Sequence, residues 1–348
     1  MPAVVAPGKI LVTGVNGFLG AYTARDLLER GFGVVGTVRS SAKGDEISKY
    51  FSLYGDRFSY ALIQDMSQPG AFDGIISTGE FDGIAHTASP VPLGHNLISD
   101  GFNVATEGTL NLLRSIQDHG PMVKRVVITS SGLAATQLDP GIMLTEVHWN
   151  DESVKIVEEK GDAASDFERY TASKVLSERA AWNFVEDNRD KISFDLVTVL
   201  PAAILGAPMN ENTTLDLLGA SHLLFEGLRT ARPESQLEET LLGFVHAKDV
   251  AALHSECFIQ SRAAGHRVFA ASADPSWQDI YNALNEEPAF PGIHEGKPGV
   301  GGRSDNESLE YDMTFAKSLL GRQLIGAKDM IRETARYYQG AGWEFVRS

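Results

Sequence analysis

Cysteine is almost absent: Cys257 is the single one in 348 residues, so no intrachain disulfide can form and a reducing compartment suits the chain. Within Ala251–Ile259 it reads as a small buried apolar residue, not a reactive thiol. Long apolar runs are missing too, and none approaches the ~18 residues a membrane-spanning helix needs. Met1 to Gly8 has no basic stretch and is too short for a signal peptide, so a cytoplasmic location is expected, without a membrane partner. Positive charge is the scarcer sign, 30 Lys and Arg against 46 Asp and Glu, a formal net charge of −16. That balance disfavours nucleic acid and anionic membranes as partners, yet leaves room for a local basic pocket. His95, His148, His246, His254 and His266 show no metal-ligand spacing, so no metal is expected. Internal repeats and low-complexity tracts are also lacking.

What is present is an alternation of apolar runs with helical stretches. Lys9–Thr13, Gly33–Val38, Phe58–Ile63, Gly83–Ala88, Arg125–Thr129 and Phe194–Leu200 read as strands; Phe18–Arg30, Phe102–Gln117 and Asp166–Glu186 read as helices. This order predicts an α/β fold, a doubly wound, mostly parallel Rossmann-like sheet. After Pro201 the rhythm changes. Thr213–Leu228, Asp249–Ile259, Ser276–Asn285, Thr314–Leu320 and Met330–Tyr338 read as helices, Arg267–Ala271 as an isolated strand, and the Gly- and Pro-rich Pro288–Gly302 as loop. The expected division is a dinucleotide-binding domain over 1–200 and a smaller, mostly helical substrate lobe over 201–348. Part of 245–272 is expected to return to the main domain.

The first strand runs straight into Gly14-Val15-Asn16-Gly17-Phe18-Leu19-Gly20 and a helix. Glycines here permit a tight turn, close approach of backbone to pyrophosphate and close helix–strand packing, while the helix start offers free N–H groups. An NAD site normally carries an acid at the end of the second strand, but none occurs here before Asp45. Instead Arg39, with Ser40 and Lys43, stands where a 2′-phosphate would lie, which favours NADP(H); the alternative is that Arg39 merely caps the strand in solvent. Asp65 after the third strand is placed to meet the adenine amino group, with Met66 packing alongside. Thr87, Ala88 and Ser89, after the fourth strand, are expected to touch the cofactor.

On the long helix, the spacing of Tyr170 and Lys174 puts a phenol and an ammonium on one face, one turn apart. A phenol titrates near 10 unless a neighbouring cation favours phenolate. Such a pair is a common accident on amphipathic helices. Its weight comes from Thr129-Ser130-Ser131 at the carboxyl end of an upstream strand, where ligands of open α/β sheets bind. The set suits hydride transfer to a carbonyl, with Tyr170 as general acid and Ser131 polarising the oxygen. No Gly-x-Ser-x-Gly elbow frames either serine, which speaks against acyl transfer. His86 reads as a satisfied structural histidine, and Asn103 as steadying either a helix or a water near the lysine.

Thr13-Gly14-x-x-Gly17-x-x-Gly20, Thr129-Ser130-Ser131 and Tyr170-x-x-x-Lys174 together resemble the extended short-chain dehydrogenase/reductases. Gly36–Ser40, Ala85–Pro90, Arg125–Ser131, Ala180–Phe184, Val245–Ala251 and Gly296–Gly299 are similar to the dihydroflavonol reductase-like branch and its fungal carbonyl reductases. The resemblance spans essentially the whole chain. It implies an NADPH-dependent reductase of small aldehydes or ketones, with Ser131 as the catalytic serine. It also implies nicotinamide contacts at Pro201, Ala202, Ala203 and Ile204, adenosine contacts at Arg39, Lys43, Asp65 and Met66, and a monomer or homodimer. Pro90, Leu133, Thr136 and the segment Leu205–Thr214 are the expected pocket walls, enlarged by the small pair Ala202-Ala203. The rivals are a nucleotide-sugar epimerase or dehydratase, a sterol dehydrogenase and a non-catalytic NADP sensor. Arg39 argues against the first, the missing anchor against the second, and the intact tyrosine and lysine against the third.

Overall fold

The computed structural model describes residues 3–89, 100–136, 142–209, 219–239, 243–299 and 311–345. Its strands are β1 (Lys9–Thr13), β2 (Gly33–Val38), β3 (Phe58–Leu62), β4 (Gly83–His86), β5 (Arg125–Thr129), β6 (Asp195–Pro201), β7 (Ala203–Leu205), β8 (Phe244–His246) and β9 (Arg267–Ala270). Among the described residues, seven parallel strands form one sheet in the order β3-β2-β1-β4-β5-β6-β9, and β7 pairs with β8 separately. The strand order reverses between β1 and β4, and their carboxyl ends open a crevice at that point.

The helices are α1 (Phe18–Glu29), α2 (Ser41–Tyr50), α3 (Asp73–Ile76), α4 (Asp100–His119), α5 (Asp151–Lys160), α6 (Asp166–Asp187), α7 (Ala220–Leu228), α8 (Ala247–Ile259), α9 (Trp277–Asn285), α10 (Thr314–Leu320) and α11 (Ala327–Gly340). Both faces of the inner strands are covered, which is why their residues are almost all buried, whereas the edge strand β3 buries only Phe58 fully. Ile10 and Val12 of β1 join the core beneath α1 and α8, whereas Leu11 joins the core beneath α4 and α6. A third cluster, Leu224 and Phe225 of α7, Ile280 and Leu284 of α9, and Met330, Ile331 and Tyr338 of α11, holds the C-terminal helices together.

Local chemistry starts α6 at a defined residue: Ser165 Oγ accepts from the Glu168 N–H and the Glu168 carboxylate accepts from the Ser165 N–H. Helices α2, α3 and α5 have no counterpart among the expected elements, and α3 is only four residues long. In α2 only Gly44 and Ile47 are buried and in α5 only Ser153, so neither carries the apolar stripe that a period of 3.6 reveals. Arg267–Ala270 does not stand alone; it pairs with β6 as the edge strand β9. Of the helix expected over 213–228, Ala220–Leu228 is helical and 213–218 lie outside the described residues.

Candidate active site

The glycine turn leaves β1 with Gly14 at φ +66°, where a Cβ would also meet Ala88 Cβ at 3.1 Å. A Cβ on Gly20 would lie 2.3 Å from the Gly14 carbonyl oxygen, so only glycine lets α1 cross the turn this closely. Gly17 caps α1 without a side-chain hydrogen bond, and the first turn holds no acid. The N–H groups of Phe18, Leu19 and Gly20 are first-turn donors without intrahelical acceptors. Leu19 is buried in the sheet core and Phe18 packs on Tyr22, ring centroids 5.7 Å apart, so both offer an incoming phosphate backbone only. Asn16 is half-buried within the same turn. These features fit a dinucleotide: a cradle that side chains would fill, at the positive end of a helix.

Arg39, at the end of β2, and Lys43, in the first turn of α2, are both exposed. Asp65 is exposed as well, and its carboxylate accepts from Ser67 N at 2.9 Å, Ser67 Oγ at 2.6 Å and Gln68 Nε2 at 2.9 Å. The Ser67 and Gln68 side chains hold its pKa below the usual carboxylate range, and the Arg39 charge adds to them. Met66 is buried against α4, filling the space that a Cβ on Gly108 would take.

His86 ends β4, fully enclosed. Thr109 Oγ1 donates to the Ala105 carbonyl at 2.9 Å and so accepts from His86 Nε2 at 3.3 Å. Thr13 Oγ1 accepts from the Ala88 N–H at 3.0 Å and donates to His86 Nδ1 at 2.9 Å. Burial, aided by the Lys174 charge, pushes the imidazole down to about 4, so it is neutral and structural. Thr13 also holds the segment that follows β4: its Oγ1 takes the Ala88 N–H, and its carbonyl accepts from Thr87 Oγ1 at 2.5 Å.

Helix α6 lines the crevice from the far side. Lys174 is buried at 9% exposure, its Nζ 5.4 Å from the Tyr170 ring centroid and donating to Ser89 Oγ at 2.8 Å. Tyr170 is half-buried. Ser131 follows β5 with extended backbone and starts the turn Gly132–Ala134, which packs against α6; its Oγ accepts from the Leu133 N–H at 3.2 Å. Thus Ser131, Tyr170, Lys174 and Ser89 gather at the carboxyl ends of β4 and β5, beside the glycine turn.

Pro201 is buried, and Ala203 and Ile204 are half-buried on β7. Leu133 and Thr136 are half-buried on the Ser131 turn, and Thr136 Oγ1 lies 3.1 Å from Tyr311 Oη. Leu205 is not a pocket wall: it is fully buried in the C-terminal cluster, because β7 turns its side chain toward α7. Pro90, the Asn103 side chain and residues 210–214 lie outside the described residues.

Residues 10–269 match the NAD dependent epimerase/dehydratase family. The chain belongs to this family of extended short-chain dehydrogenase/reductases. It is 30% identical over 337 residues to the NADPH-dependent methylglyoxal reductase GRE2 of Saccharomyces cerevisiae, spanning 94% of this chain and 97% of that protein. Aldehyde reductase 2 of Sporidiobolus salmonicolor is 33% identical over 300 residues, 83% of this chain and 85% of its own length. The crystal structure of yeast methylglyoxal/isovaleraldehyde reductase Gre2 complexed with NADPH is similar with a TM-score of 0.83 at 28% identity, covering 96% of this chain and 99% of that one.

In this short-chain dehydrogenase/reductase two contacts escaped the sequence reading. Ser89 reaches Lys174, 85 positions away, which no local spacing announces. Tyr311 covers the Ser131 turn, its Oη 3.3 Å from where a Cβ on Gly132 would be. Among the described residues no helix is long and apolar enough to cross a membrane, and no three His, Cys, Asp or Glu side chains gather as metal ligands.

Proposed function

We propose that the chain is an NADPH-dependent reductase that converts small aldehydes or ketones to alcohols. The observation that carries this reading is the Lys174 ammonium beside the Tyr170 ring on α6, the helix against which the Ser131 turn packs. In this reading the backbone of Gly14, Asn16, Gly17, Phe18, Leu19 and Gly20 holds the pyrophosphate, and Arg39 and Lys43 hold the 2′-phosphate. Asp65 and Met66 flank the adenine, while Thr87, Ala88, Ser89, Pro201, Ala203 and Ile204 flank the nicotinamide end. NADPH bound there would supply the hydride that the carbonyl carbon receives.

The chain's own groups handle the proton. Ser131 Oγ donates to the carbonyl oxygen and polarises it; Tyr170 Oη then gives its proton to that oxygen as the alcohol forms. The Lys174 cation favours the phenolate left behind. Ser89 fixes the ammonium from the other side, so one lysine serves both the phenol and the cofactor end. Leu133 and Thr136 flank the substrate.

We further take residues 1–200 as the dinucleotide-binding part and 201–348 as the substrate lobe, with α8 and β9 of 245–272 serving the former. A cytoplasmic setting suits the single, fully buried Cys257, whose thiol is pushed up to about 12 by burial. The test is consumption of reduced nicotinamide, followed by its near-ultraviolet absorbance, across a panel of aldehydes and ketones that includes methylglyoxal and isovaleraldehyde. Turnover with NADPH and little with NADH is expected. Tight NADPH binding without turnover of any carbonyl would refute the reductase reading.

A further inference from the structure

Glu178 follows Lys174 by four residues, as Lys174 follows Tyr170, so α6 carries all three on one face. It is the most buried of the three, at 2% exposure. Its carboxylate is saturated. Oε2 accepts from Ser130 Oγ at 2.7 Å and Arg267 Nη2 at 3.1 Å. Oε1 accepts from Thr198 Oγ1 at 2.7 Å, Arg267 Nε at 2.8 Å and Trp182 Nε1 at 3.3 Å. Arg267 Nη1 donates to the carbonyls of Glu146 at 3.0 Å and His148 at 2.5 Å, and its guanidinium carbon lies 3.9 Å from the Trp149 ring centroid.

A buried ion pair adds little net stability over an apolar pair of similar volume, so stability alone does not explain this network. What it does is join four elements: α6, the end of β5 through Ser130, β6 through Thr198 and β9 through Arg267. Ser130 is the residue before Ser131. Adjacent side chains on extended backbone point to opposite sides. Anchoring the Ser130 hydroxyl inward on Glu178, with the Ser130 N–H on the Val199 carbonyl at 2.8 Å, therefore turns Ser131 outward toward the crevice. A carboxylate suits the task because it only accepts, and every neighbour here donates.

We propose that Glu178 is a positioning residue for the reduction, holding Ser131, through Ser130, in register with Tyr170 and Lys174. This rests on the reading of those three as the reacting groups. Ser130 and Arg267 complete the device: the first transmits the position, and the second holds the carboxylate through Nε and Nη2.

The test compares the full-length protein with Ser130→Ala, which cuts the link but keeps the ion pair, and with the double variant Glu178→Met/Arg267→Met, which replaces the pair by apolar groups. Each is measured for kcat, KM for NADPH, melting temperature and hydrogen exchange of the Leu133 amide, the donor to Ser131 Oγ. A misplaced reacting group costs on the order of ten- to a hundredfold in rate, and that loss in kcat is expected in both variants. KM for NADPH should be unchanged, Ser130→Ala should melt near the wild type, and the Leu133 amide should exchange faster while the Tyr170–Lys174 amides do not. Unchanged kcat and Leu133 exchange in Ser130→Ala would overturn the proposal, as would a double variant whose kcat returns with its melting temperature. If the wild type reduces no carbonyl at all, the reductase reading fails; exchange at Leu133 still decides the link, and an unchanged rate overturns it.

Discussion

Arg39 is an exposed guanidinium at the carboxyl end of β2, close enough to Asp65 for its charge to lower that carboxyl's pKa. In the proposed reading this guanidinium clamps the 2′-phosphate. A hydrogen bond to a charged group is worth about 1.5–3 kcal/mol, so Arg39→Ala should raise KM for NADPH roughly ten- to a hundredfold while leaving KM for NADH nearly unchanged. Steady-state kinetics with both cofactors checks this, and an equal effect on the two would make the arginine structural. At this scale the sequence was most legible where one residue type had one job: the glycines, the tyrosine and the lysine. It was least legible where partners lie far apart. Nothing near Glu178 indicates that Arg267, 89 positions on, will pair with it.

At the scale of elements, the crossing of α1 over the turn sets everything on the phosphate side. Gly20→Ala would place a methyl 2.3 Å from the Gly14 oxygen and 3.0 Å from Thr87 Oγ1, both held by neighbouring strands. Overpacking of this kind costs about 1–3 kcal/mol, and α1 would be pushed away from the turn. The variant should melt at lower temperature and bind NADPH more weakly; denaturant unfolding together with a fluorescence titration reads both. A wild-type affinity in a stable variant would show that the close crossing is dispensable. The central strands were readable because burial on two faces leaves runs such as Ile10-Leu11-Val12 and Val126-Val127-Ile128. Helices α2 and α5 were not, since each lies on the surface with hardly a buried side chain. The pair β7–β8, three residues a strand, is too short for any periodicity to register.

For the whole molecule, neutral buried histidines couple stability to pH. His254 is fully enclosed, its Nδ1–H on the Val250 carbonyl at 2.8 Å and its Nε2 accepting from Thr129 Oγ1 at 2.8 Å. Burial pushes it, like His86, from 6.5 down to about 4. Between those values the unfolded chain binds protons that the native protein refuses. This part of the stability is therefore whole above about pH 6.5 and is lost as pH falls toward 4. Further acid loss follows below 4.5 as Glu333, held at about 2 by His246 and then Lys248, becomes protonated in the unfolded chain first. His254→Gln removes one titrating group; its unfolding free energy should fall less steeply over the upper window, by about 1.4 kcal/mol per pH unit. Denaturant titrations at stepped pH measure the slope, and an unchanged slope would mean that His254 titrates normally in the native state.

The central claim is that Tyr170 delivers the proton in an NADPH-dependent reduction. Its most direct test is the rate of NADPH consumption with methylglyoxal or isovaleraldehyde, wild type beside Tyr170→Phe, with NADPH affinity measured in parallel. General acid catalysis contributes about 10²–10⁴-fold, and a loss of that size with cofactor affinity intact is the predicted result. A Tyr170→Phe protein that reduces the aldehyde as fast as the wild type would contradict it.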